Sequence, residues 1–150
     1  MTGNSGHNLL NGLRGEDRIE GGAGNDMLYG SEGDDVLIGG AGLDKFLFNK
    51  VPGSGELRAG VDDILDFSVP NDVIYLATYA FTRIGPKGTL SPNAFHKGTG
   101  AADASDRIVY DQASGNIFYD ADGTGAAARI LFATVDAGTP PTSADFYVYG

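Results

Sequence analysis

Four aspartates stand nine residues apart: Asp17, Asp26, Asp35 and Asp44, with Asn8 in the same place one step earlier. Two positions after each comes an apolar residue: Leu10, Ile19, Leu28, Leu37 and Phe46. Glycine opens every repeat (Gly3, Gly12, Gly21, Gly30, Gly39) and recurs at its fourth position (Gly6, Gly15, Gly24, Gly33, Gly42). If the chain stacks its repeats, these carboxylates converge, and without a counter-charge they repel. A hard cation resolves the conflict. Ca²⁺ takes about six to eight oxygens in forgiving geometry, whereas Mg²⁺ demands a smaller and stricter octahedron. Glycine allows positive φ, so that carbonyls can crowd the same point. Zinc is disfavoured, because there is no Cys and no paired His.

The elements that must position these groups follow from the same register. Each repeat reads as a six-residue turn ending in the carboxylate, then a three-residue strand with one apolar side chain inward. A flexible Gly/Asp linker has no reason to keep an apolar residue at the eighth position of every repeat. Burying five such residues falls short of the entropy cost of ordering the backbone, so the stretch is expected to need its cations to fold.

After the repeats, Phe46-Leu47-Phe48 extends the last strand, and residues 51–60 read as a loop. Strands are expected over Val61–Phe67, Val73–Leu76, Arg107–Tyr110, Asn116–Tyr119, Ala128–Phe132 and Phe146–Tyr149. A single helical turn is expected at Ser91–Phe95, capped by Ser91 with Pro92 first. Turns separate the later strands at Ala113–Asn116 and Asp120–Gly125. Aromatics such as Phe118, Tyr119 and Phe132 can build a core here without metal.

The chain has 150 residues and a net charge of −10. Up to Asp66 it carries 12 acidic and 5 basic residues, a balance of −7; the rest has 8 and 5, a balance of −3. The acid sits with the repeats. No basic stripe is available for nucleic acid, no apolar run is long enough for a membrane helix, and the start lacks the pattern of a cleaved secretory signal. The chain is read as non-enzymatic. His7 and His96 lie in no metalloprotease or triad-like context, and both read as surface residues. Asp120-Ala121-Asp122-Gly123 is like the start of an EF-hand loop, but Leu131 holds the twelfth position where a Glu is needed, so a hairpin turn is the better reading.

The repeats from Gly12 to Leu47 resemble the RTX, or haemolysin-type calcium-binding, family, whose nonapeptides form a parallel β-helix. The later segments Asp62-Asp63-Ile64-Leu65-Asp66-Phe67, Asp72-Val73-Ile74-Tyr75-Leu76, Asp106–Asp111 and Tyr119–Gly125 resemble the C-terminal region of serralysin-like exported proteins. The resemblance implies a parallel β-roll with two repeats per coil and Ca²⁺ between the turns of repeats n and n+2. It implies pairs Asn8 with Asp26, Asp17 with Asp35, and Asp26 with Asp44. Carbonyls around Gly21, Gly22 and Gly24, around Gly30 and Gly33, and around Gly39, Gly40 and Gly42 would complete the shells. A further site after the last repeat falls on Asp62 and Glu56. The resemblance also implies type I secretion by an uncleaved C-terminal signal, for which Asp145–Tyr149 has the form, and a fused upstream domain.

The expected fold is therefore all-β: a short parallel β-roll over residues 1–50 and an antiparallel β-rich C-terminal cap over residues 51–150. The expected function is calcium binding that folds the module outside the cell, serving secretion and stabilising the upstream domain. The alternative is a module that binds polysaccharide or a cell surface. Exposed Tyr or Arg clustered along one sheet face would favour it.

Overall fold

The structure, a computed structural model, describes residues 1–51 and 60–150. Its first five strands come from the repeats: β1 (Leu9–Arg14), β2 (Arg18–Ala23), β3 (Met27–Glu32), β4 (Val36–Ala41) and β5 (Lys45–Phe48). The first four are six residues long rather than the three expected, because each strand runs on into the opening residues of the next repeat, and the three-residue turns left between them send successive strands alternately into two sheets. Odd strands pair with odd and even with even, always in parallel: Leu10 lies opposite Leu28, and Ile19 opposite Leu37. The register is eighteen residues, two repeats per coil. The eighth-position side chains meet between the sheets, where Ile19, Leu28, Leu37 and Phe46 are wholly buried.

The two sheets do not stop where the repeats stop. β6 (Asp62–Ile64) continues the even sheet beside β4, and β7 (Val73–Ala77) continues the odd sheet beside β5, both parallel. Ile64 and Ile74 extend the buried columns. Beyond them come β8 (Gly88–Thr89), β9 (Phe95–Lys97), β10 (Ile108–Asp111), β11 (Asn116–Tyr119), β12 (Ile130–Val135) and β13 (Phe146–Tyr149). The odd sheet runs β1-β3-β5-β7-β13-β8, and the even sheet runs β2-β4-β6-β12-β11-β10-β9. The run β10–β11–β12 is antiparallel, as is β13 with β8. The strands that join this cap to the repeats are parallel: β12 beside β6 and β13 beside β7.

Aromatic rings fill the cap between the sheets. Phe132 meets Phe48 and Phe81 edge-on, each at 5.1 Å between centroids, and Phe81 meets Tyr119 at 5.2 Å. Phe48, the last residue of the repeat strands, thus packs directly on the cap core. The strand expected over Val61–Phe67 is confined to Asp62–Ile64, since Leu65 and Asp66 already turn. The turn expected at Ser91 is a 3₁₀ turn, Pro92–Ala94, which the Ser91 side chain does not cap. The loop expected at residues 51–60 lies mostly outside the described residues.

Candidate metal centre

Each repeat turn ends in an aspartate whose two oxygens have different surroundings. In Asp26, Asp35 and Asp44 one oxygen accepts a backbone hydrogen bond from the aligned position of the turn eighteen residues earlier. The N–H of Asn8 donates to Asp26 Oδ1 at 2.7 Å, that of Asp17 to Asp35 at 2.8 Å, and that of Asp26 to Asp44 at 2.8 Å. The structure therefore sets Asn8, Asp26 and Asp44 in one column and Asp17 and Asp35 in another. The other oxygen, Oδ2 of Asp17, Asp26, Asp35 and Asp44, is buried and has no hydrogen-bond partner. A buried carboxylate oxygen left unpaired is costly unless a cation or donor meets it.

The opening glycines show where these oxygens converge. A Cβ added at Gly21 would stand 2.5 Å from both Asp26 Oδ2 and the Gly39 carbonyl oxygen. At Gly12 the same point is approached by Asp17 Oδ2 (2.7 Å) and the Gly30 carbonyl (2.9 Å), and at Gly39 by Asp44 Oδ2 (2.5 Å). Carboxylate and carbonyl oxygens from two coils thus face one small space that only glycine leaves open. The remaining glycines bring the turns into contact. Gly22 approaches the carbonyl of Asn4, Gly24 that of Gly6, Gly33 that of Gly15, Gly40 that of Gly22 and Gly42 that of Gly24. A hard, all-oxygen donor set of this kind suits Ca²⁺.

The columns run past the repeats. Asp62 follows Asp35: the Asp35 N–H donates to Asp62 Oδ1 at 3.2 Å, and Asp62 Oδ2 faces the Gly30 position beside Asp35 Oδ2. Asp72 follows Asp44, accepting the Asp44 N–H at 3.0 Å and the Ser68 N–H at 2.9 Å. Asp66 takes the Gly39 and Gly40 N–H groups on its two oxygens, at 2.8 and 2.7 Å. Burial, then the charge of Asp35, pushes the Asp62 carboxyl up to about 8. Burial pushes Asp72 up to about 6, with Asp44 and Asp66 adding to the rise against the hydrogen bonds from Asp44 and Ser68. Asp35 and Asp44 are also raised, chiefly by burial. In each case the rise comes from carboxylates buried close to one another, an arrangement that a hard cation would favour in its ionised form.

Asp66 and Asp72 escaped the sequence reading as site residues. The signal for Asp72 was present, since it precedes Val73-Ile74-Tyr75 as Asp44 precedes Lys45-Phe46-Leu47. Glu56 lies outside the described residues. Position five also has a role of its own. His7 Nδ1 accepts the Asn25 N–H (2.7 Å), Asn25 Oδ1 accepts the Leu43 N–H (3.1 Å), and Asp34 Oδ1 accepts the Val61 N–H (2.8 Å).

Residues 2–37 and 20–47 match the RTX calcium-binding nonapeptide repeat family, in four copies. Residues 2–47 are RTX calcium-binding repeats. RTX repeats bind Ca²⁺ and are non-catalytic modules, and the orphaned oxygens of Asp17, Asp26, Asp35 and Asp44 fit that ion. The chain is also similar to two solved structures from Azotobacter vinelandii. One is the AlgE6R2 subunit of the mannuronan C5-epimerase, at 19% identity over 97% of this chain and 90% of that one, with a TM-score of 0.48. The other is the AlgE6R3 subunit of the same enzyme, at 23% identity over 95% and 78%, with a TM-score of 0.45. No curated protein matches the chain. Among the described residues, no helix is long and apolar enough to cross a membrane.

Proposed function

We propose that this chain is a calcium-triggered folding module of an exported protein. The observation that carries the reading is the set of four buried carboxylate oxygens without partners. Metal-free, these groups repel one another and oppose the fold; Ca²⁺ supplies the charge and fills the coordination that the turns leave open. Low cytosolic calcium then keeps the repeats open and threadable, and extracellular calcium closes them. The ligands in this reading are Asp17, Asp26, Asp35, Asp44 and Asp62, with Asn8 at the first rung and carbonyls of the turn glycines. The module acts as a non-catalytic unit of a secreted protein, stabilising a domain fused upstream. Residues 1–50, joined by Asp62 at the end of one column, bind the metal, and the rest of residues 51–150 caps the roll and carries the signal read by a type I secretion system.

Circular dichroism and thermal melts with calcium, with magnesium and with chelator test the folding. Calcium is expected to add β signal and raise the melting temperature, with magnesium far less effective. Identical spectra and melts in calcium and chelator would sink the reading. Export has its own test, a fusion passed through a type I system with and without Asp145–Gly150. Undiminished export of the truncated fusion removes the signal from that segment.

The second reading, a module that binds polysaccharide, is favoured by a specific observation. Five of the chain's seven tyrosines, Tyr29, Tyr75, Tyr79, Tyr147 and Tyr149, gather on or beside the outer face of the odd sheet.

A further inference from the structure

We propose that the outer face of the odd sheet is a carbohydrate-binding platform, built on Tyr75, Tyr147 and Lys45 and preferring acidic sugars; it rests on the second reading above. Strand pairing makes the platform. Along one row, Asn11 lies opposite Tyr29, Leu47 opposite Tyr75, and Tyr75 opposite Tyr147. Tyr75 and Tyr147 stack at 4.8 Å between centroids and 29° between planes, with Tyr149 at 5.9 Å from Tyr75. The Lys45 ammonium stands over the Tyr75 ring, 5.4 Å from its centroid. The Tyr149 hydroxyl is placed among those of Tyr79 and Tyr29, where burial and these neighbours push its pKa up.

Charge separates this face from the rest of the molecule. The protein has 20 acidic residues. The even sheet turns Glu20, Asp63 and Asp111 outward. On the odd sheet, the platform row holds no carboxylate, and neither does the neighbouring row of Leu9, Met27, Lys45 and Val73. Glu32, at the end of β3, is paired with Arg14 at 3.3 Å and with Lys50 at 2.9 Å. In a chain of net charge −10, two rows that carry no carboxylate among the described residues, with an ammonium at their centre, are complementary to a carboxylate-bearing ligand.

The chemistry of the face is that of a sugar ligand. Aliphatic Leu47 is buried in the row, while Tyr147 and Tyr79 are 38% and 65% exposed. What the two rows offer is rings, phenol hydroxyls and the Lys45 ammonium. The exposed rings of Tyr147 and Tyr79 can take the C–H faces of pyranoses, with Tyr75 supporting Tyr147 from within the row, and the phenol hydroxyls can share hydrogen bonds with those of the sugar. Beside Tyr79 the platform opens into a cleft of about 520 Å³ lined by Asn49, Lys50, Thr82 and Tyr119, within the size range of small-ligand sites. It adds amide, ammonium and hydroxyl groups at the end of the row.

The test is calorimetry of the calcium-loaded chain with a galacturonate hexamer and, in parallel, a neutral glucose hexamer. Both are expected to bind, the acidic one tighter. Tyr147→Ala should weaken both by about tenfold, a change of about 1.4 kcal/mol. Lys45→Gln should erase the preference for the acidic hexamer. Arg18→Gln, on the even sheet, should change nothing. Each variant is first checked for an unchanged calcium midpoint, and Tyr79→Ala, at the most exposed of these rings, keeps the test decisive if Tyr147→Ala misfolds. Binding that ignores every substitution on this face overturns the site while leaving the polysaccharide reading intact. Absence of binding by either hexamer overturns both. A dimer in sedimentation that dissociates on Tyr147→Ala assigns the face to a second copy of the chain, and the proposal falls.

Discussion

The two oxygens of a repeat aspartate divide the labour of the metal centre. Oδ1 holds the coil beneath by a backbone hydrogen bond, and Oδ2, buried without a partner, is the oxygen proposed to meet the cation. Asp26 does this in the middle of its column, between Asn8 and Asp44. Asp26→Ala is expected to raise the calcium midpoint about tenfold or more, the scale of a lost shell partner. Asp34→Ala, which costs one hydrogen bond to Val61, should raise it far less. Equal shifts in a calcium titration would count against the register. A pH dependence belongs to the same residues. Burial, then the charge of Asp35, pushes the Asp62 carboxyl up to about 8 in the metal-free fold, from an ordinary carboxylate value of 3.8. The folded state then holds its proton more tightly than the unfolded chain. Its contribution favours folding fully below about 3.8 and is lost as pH rises through about 8. Metal-free melting temperature should fall between those limits as pH rises. With saturating calcium, which binds the ionised carboxylate, that fall should flatten or reverse. A metal-free melt that improves with rising pH across the window would refute the burial argument.

Stacked turns, more than strands, define this fold at the level of its elements. Gly42 has φ +148°, and a Cβ there would run into the Gly24 carbonyl of the coil below. Gly42→Ala should cost about 1–3 kcal/mol of calcium-loaded stability, the scale of a strained backbone position. Chemical denaturation in calcium measures it, and a loss under a few tenths of a kcal/mol would mean the turn relaxes freely. The repeat elements were legible because their spacing fixes everything: apolar residue, turn and carboxylate recur in one register. Past Phe48 that support ends. Asp35 and Asp62 are 27 residues apart, and Asp44 and Asp72 are 28, so the eighteen-residue rule no longer finds the partner. The apolar pattern of Val61–Phe67 read as one long strand. In the structure it is cut short because Asp66 turns to receive the Gly39 and Gly40 N–H groups, a demand set by residues far back in the chain. The row of tyrosines was equally invisible, since Tyr75 and Tyr147 become neighbours only through the pairing of β7 with β13.

Across the whole molecule, the two sheets bind repeats and cap into one stack. β12 seats Val135 opposite Ile64, and β13 seats Phe146 opposite Ile74, so the cap continues the same inward columns. No local pattern announces such pairings. The alternation of strands between sheets has one more consequence, which concerns direction. A nonapeptide is half a coil, so the parity of the repeat count decides which sheet the first strand joins and therefore which side of the stack an attached segment leaves from. Removing Gly12–Tyr29, two nonapeptides, should leave β1 in the odd sheet, one strand spacing nearer the cap. Removing only Gly12–Glu20 should carry β1 across to the even sheet, a shift of about 10 Å, the distance between stacked sheets. The chain has no native cysteine, so a dye at Thr134→Cys on β12 and another on the N-terminal amine can report the difference by energy transfer. If both deletions give the same transfer, parity does not steer the chain. If they differ, a fused domain can be pointed to either side of the roll by adding or removing a single repeat, with the aspartate columns still in register.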